Sequence, residues 1–179
     1  VRLGAALLLL ALSPGCRGAR GHSDAGPREP FIAFAPDFQG FRGWKRTYLG
    51  RFSAGGHLEG VHQYAYENRP RRAGARTWDV GAIIVRTLER GTPETWQVFA
   101  SVKRGGGYNA RGNVGWEHFR LRLDPNGQVI VVARGINPGS GLSDPYAAGE
   151  GVGCNTCHGS RDARVYDGVL SPALRPADP

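Results

Sequence analysis

Apolar and polar residues alternate through much of the chain. In 116–123, Phe119, Leu121 and Leu123 fall on one side of an extended backbone, with His118 in the opposite phase and expected to point away from the core. The segment Trp44 to Phe52 carries aromatic and β-branched residues. Val61 to Tyr66 is a shorter run in which Val61 alternates with Gln63. Val80 to Leu88 contains Ile83-Ile84-Val85, an uninterrupted apolar run that predicts a buried central strand. Gly91-Thr92-Pro93 is turn chemistry, and Thr95 to Val102 is the expected hairpin partner. Asp124-Pro125-Asn126-Gly127 predicts a turn into a return strand over Gln128 to Ala133. Short helices are expected over Asn68 to Ala75 and from Ser160 to Tyr166. Gly135 to Gly153 reads as a loop. The predicted fold class is mainly β (α+β): an antiparallel β-sheet domain with a few short helices.

Composition supports one such domain. There are 179 residues, 40% hydrophobic, with four Trp, 28 Gly and 12 Pro, a content that disfavours long helices. At the start, Arg2 and the apolar run Ala5 to Leu12 resemble an export signal, too short to span a bilayer. Cys16 follows Leu12-Ser13-Pro14-Gly15, a loose lipobox interrupted by Pro14. Either Cys16 is lipidated and tethers the protein to a membrane, or cleavage nearby removes it. The expected layout is a signal at 1–16, a flexible tether at 17–30 and one domain over 31–179, in the periplasm or cell envelope. The net charge of +8 is nearly all arginine, since lysine occurs only at Lys45 and Lys103. Blocks such as Arg69-Pro70-Arg71-Arg72 suit a solvated face, anionic lipid or an acidic redox partner. Nothing resembles a DNA-binding module, and no nucleic-acid partner is expected.

Cys154-Asn155-Thr156-Cys157-His158 carries the chemistry. C-x-x-C-H is the attachment motif of haem c: two thiols form thioethers with the porphyrin and the histidine ligates iron. Cys154, Cys157 and His158 are therefore the candidate cofactor-binding residues, and His158 the metal ligand. Of three cysteines, only Cys16 lies outside the motif, so no disulfide framework competes. No βαβ pattern surrounds the pair, as a thioredoxin-like site would have. A closed zinc site needs four ligands, and His57, His62 and His118 lack recognisable spacing. The sequence holds no methionine, which removes the His/Met ligation of ordinary electron-transfer cytochromes. The four-helix cytochromes c′ carry the motif late in the chain, but their bundle is incompatible with this many strand and glycine signals.

A β-rich domain ending in C-x-x-C-H resembles the cytochrome P460 and cytochrome c′-beta family. Phe41-Arg42-Gly43-Trp44-Lys45 is similar to that family's aromatic-R-x-W opening, and Tyr66-Glu67-Asn68 to its Y-x-N. Gly81 to Arg86 resembles its D-G-T-x-x-x-K strand. Val102-Lys103 through Tyr108 and Gly115-Trp116 resembles its V-K…G-Y…G-W hairpin. Asp167-x-Val169, Pro172 and Leu174 resemble its tail. The resemblance covers about 41–174. It implies either hydroxylamine oxidation at a lysine-linked haem or nitric oxide binding at an unlinked haem crowded by phenylalanines, in proteins that are often homodimers. The linking lysine falls at Arg86, whose guanidinium is a poor nucleophile. An unlinked haem follows, unless Lys45 or Lys103 serves in another register.

Three arrangements of the opposite axial side remain open. It is covered by phenylalanine, from Phe34, Phe38, Phe41 or Phe52; or filled by His57, His62 or His118; or approached by Arg86, donating to a bound ligand or a propionate. Glu117 is the candidate distal proton acceptor for hydroxylamine-type chemistry. Arg86 and Glu117 are thus the candidate catalytic pair. A site filled by a second histidine implies a simple periplasmic electron carrier instead, and a redox protein partner is expected under either function.

Overall fold

The alternation in the sequence is built as one antiparallel sheet. A computed structural model describes residues 29–53, 58–138 and 153–175. Its strands are β1 (Lys45–Arg51), β2 (His62–Glu67), β3 (Ile83–Glu89), β4 (Gln97–Lys103), β5 (Trp116–Leu123) and β6 (Val129–Gly135). They are ordered β1-β2-β3-β4-β5-β6, so strands adjacent in sequence are adjacent in space. Asp124 makes the β5–β6 turn by accepting at Oδ1 from Asn126 N (2.9 Å) and Gln128 N (2.8 Å). The mainly-β expectation is met.

Both faces of the sheet are covered, by different means. One face carries Tyr66, Ile83, Val85, Val98, Ala100, Val102, Phe119, Leu121 and Leu123. The chain before β1 folds over it in two 3-10 turns, Ala35–Phe38 and Phe41–Gly43. Phe38 meets Phe119 at a ring separation of 5.0 Å, and Phe41 meets Tyr66 edge-on at 5.1 Å. Each fully buried phenylalanine contributes about 2–3 kcal/mol of transfer free energy.

The other face carries two small apolar clusters. Ala65, Trp78, Ala82, Ile84, Trp116 and Val169 form one; Phe52, Leu58, Val61 and Leu88 form the second. From Ala65 the in-register row continues through Arg86, Phe99 and Arg120, with Ser101 and His118 beside it, and these separate the two clusters. The motif segment follows as α1 (Cys154–His158) and α2 (Arg161–Val165), the latter capped by Ser160 Oγ accepting from Ala163 N.

The helix expected over 68–75 does not form; those residues make bends and a turn. Pro70 lacks an N–H and biases Arg69 away from helical angles. Asn68 ties the segment to the sheet instead, with Nδ2 donating to Gly81 O (3.0 Å) and Oδ1 accepting from Ile83 N (2.8 Å). The expected helix after the motif is present as α2. The expected signal, Cys16, most of the tether, His57 and most of the 135–153 loop lie outside the described residues. Among the described residues, no helix is long and apolar enough to cross a membrane.

Candidate functional site

Cys154 and Cys157 lie three residues apart on the one-turn helix α1, which places both sulfurs on the same side. Neither thiol is in a disulfide. The intervening Asn155 docks the turn on the body of the protein. Its Oδ1 accepts from Asn109 Nδ2 (2.7 Å) and Asn113 N (2.8 Å), and its N donates to Asn137 Oδ1 (2.9 Å). Gly159, just after the motif, packs so closely that a Cβ there would lie 2.6 Å from Asn155 O and 2.9 Å from Gly112 C.

His158 Nδ1 donates to Gly168 O at 2.6 Å. A carbonyl only accepts, so this contact places the proton on Nδ1 and leaves the Nε2 lone pair for a metal. Burial holds His158 below the ordinary imidazole pKa; the Gly168 bond opposes that shift and the charge of Arg86 adds to it. The net direction favours the neutral ring that ligation requires.

The sheet residues beside it are polar or aromatic. His118 is buried, with its ring 5.3 Å from that of His158. Its Nδ1 is 3.0 Å from Ser101 Oγ and its Nε2 is 3.5 Å from Asn113 Nδ2. Burial, with a smaller contribution from His158, pushes its pKa down to about 3. Arg86 donates from Nη2 to Gln63 Oε1. Two buried indole donors, Trp78 Nε1 and Trp116 Nε1, have no hydrogen-bond partner among the described residues. Unsatisfied buried donors on the face that carries the motif suit a group bearing acceptors. Among the described residues, no cluster of three or more His, Cys, Asp or Glu side chains is placed to hold a bare metal ion. Two thiols, a neutral imidazole and a sheet face with unsatisfied donors fit a covalently held haem.

The other candidates separate. Arg86 is on the motif's side of the sheet. Glu117 is not: it neighbours His118 on β5 and so faces oppositely. There its carboxylate accepts from Arg134 Nε and Nη2 at 2.8 Å each and from Arg104 Nη1 at 3.3 Å. The structure therefore does not bring Arg86 and Glu117 together, and Glu117 is engaged as an ion-pair partner. Phe38 and Phe41 also belong to the far face, and Phe34 is 60% exposed. Phe52 lies in the apolar cluster with Leu88, on the motif's side. His62 is exposed and packs with Tyr48 and Tyr64. Lys45 pairs with Glu67 at 3.5 Å, and Lys103 with Asp167 at 2.5 Å.

His118 was expected to point away from the core, yet it is buried because the second face is covered too. Sequence reasoning missed Phe99, which the alternation of β4 places beside Arg86, and Ser101 with it. No protein-family model, no curated protein and no solved structure matches this chain.

Proposed function

We propose that this protein is an exported monohaem c-type cytochrome of the P460/c′-beta kind that binds or transforms small nitrogen species such as nitric oxide or hydroxylamine. Cys154 and Cys157 hold haem c as thioethers, and His158 is the proximal ligand. The observation that carries the reading is the His158 Nδ1–Gly168 O bond on a helical turn bearing both thiols, because it presents a neutral imidazole Nε2 beside two sulfurs. Haem bound there supplies one-electron chemistry and a coordination position for a small ligand.

The chain's own residues supply position and charge. Asn155 fixes the attachment turn. Arg86 gives the pocket a permanent cation that donates to a polar ligand or a haem carboxylate. Phe99 and the Phe52–Leu88 cluster exclude water from the same side. No lysine link is part of this reading, since Arg86 stands at the resembling position and both lysines are ion-paired. A redox protein partner, a homodimer and a membrane tether through Cys16 accompany the proposal through the resemblance and the N-terminal sequence.

A second reading, a simple electron carrier, is motivated by one observation: buried His118 lies beside His158 and would be the nearest second imidazole to a haem held there. Absorption spectra of the ferric and ferrous protein, with and without nitric oxide, separate the two. A spectrum that shifts with nitric oxide supports the ligand-binding reading. A low-spin spectrum indifferent to it overturns that reading in favour of electron transfer.

A further inference from the structure

The hydrogen bond on His158 is built by a device that starts in the sheet. Gly168 O can reach Nδ1 only because the chain reverses after α2 through two left-handed residues, Asp167 (φ 54°) and Gly168 (φ 79°). A Cβ at Gly168 would collide with the Asn113 side chain, so glycine is required there. Asp167 has a Cβ, and left-handed backbone is unfavourable for it. Its carboxylate offsets that cost with two bonds. Oδ1 accepts from Lys103 Nζ at 2.5 Å, and Oδ2 accepts from Trp78 N at 2.7 Å. Lys103 in turn donates to Val114 O at 3.0 Å and sits 5.1 Å from the centre of the Trp116 ring. Both charged side chains are nearly buried, at 11% and 9% exposure. An ion pair at this depth gains little net stability over an apolar pair, which leaves its geometry as its distinctive contribution.

We propose that Lys103 and Asp167 are positioning residues for His158: their buried pair locks the 167–168 turn so that Gly168 O holds the imidazole Nδ1–H. The inference rests on the reading of His158 as the iron ligand. A firm Nδ1 hydrogen bond makes Nε2 a stronger donor to iron and favours the oxidised metal. Loosening the turn weakens that bond and raises the reduction potential.

Two substitutions separate positioning from simple charge. Lys103→Met leaves a negative charge unbalanced, and Asp167→Asn leaves a positive one. Acting through space, these would move the potential in opposite directions, down and up. Acting through His158, both move it up. The holoprotein, matured in a periplasm, is titrated electrochemically. Solvent exchange of the His158 Nδ1–H is followed by NMR in the diamagnetic ferrous protein with carbon monoxide bound. The inference predicts a higher potential in both variants and faster exchange than in wild type. The milder Lys103→Gln, which keeps a donor for Asp167, falls between wild type and Lys103→Met. Opposite potential shifts with unchanged exchange overturn the inference, as do three variants indistinguishable from wild type. Wild-type protein that carries no haem overturns the haem reading and the inference with it, whereas coloured protein with opposite shifts overturns the inference alone.

Discussion

The two faces of this sheet are made by alternate residues of the same strands, and they are filled in opposite ways. On one, Phe38 and Phe41 seal a continuous apolar core, and the buried acid Glu117 is held by two arginines. On the other, the apolar residues split into two clusters, and Arg86, Phe99, Ser101 and His118 lie between them. A fold that needed only stability would have joined those clusters with aliphatic side chains. The interruption coincides with the C-x-x-C-H motif, so one face is read as scaffold and the other as the proposed site.

That division is open to direct attack. The largest expected effect is on the sealed face. Phe38→Ala should destabilise by about 3–5 kcal/mol in a denaturant titration, while the haem absorption bands of the surviving native protein stay where they are. A moved spectrum would mean that the faces are coupled. Glu117→Gln should cost about 1–2 kcal/mol, less than a fully buried pair, because Arg104 and Arg134 can still reach water. It should leave nitric oxide affinity unchanged; a weakened affinity would restore Glu117 to the pocket. Arg86→Gln is the converse test on the site face. It should lower affinity for a polar iron ligand roughly tenfold, about 1.4 kcal/mol, with little loss of stability.

The smallest expected effect is a pH response confined to the sealed face. Burial, strengthened by the bond to Glu89, raises the Tyr66 pKa above its ordinary value of 10.0. The unfolded chain therefore loses this proton first, and stability falls as pH rises past 10.0. Tyr66→Phe should cost about 1 kcal/mol near neutrality and remove that component of the alkaline decline. An identical alkaline decline in the variant would contradict the assignment.

Much of this arrangement was legible because strands declare themselves locally. Apolar runs, β-branched residues, turn signals and alternation together placed all six strands, and alternation put His118 opposite Phe119 correctly. Alternation cannot say what covers each face, so His118 was expected to point outward and Glu117 inward to the pocket. The cover on the site face comes from Trp78, Val169 and the motif turn, residues remote in sequence from β5. Helix 68–75 failed for a local reason, since Pro70 outweighs the helix-forming arginines around it. The C-x-x-C-H motif was plain, but not its anchors. Asn155 with Asn109, and Asp167 with Lys103, are paired only by tertiary folding, and isolated Asn and Asp residues carry no signal of such pairing.

Every claim about the site depends on whether the two motif thiols are spent on a porphyrin. Peptide mass spectrometry on protein secreted by cells that attach haem c reads this directly. The account predicts one haem mass on the fragment containing Cys154, Cys157 and His158, with neither sulfur open to alkylation. A fragment of unmodified mass that takes up two alkyl groups would contradict it.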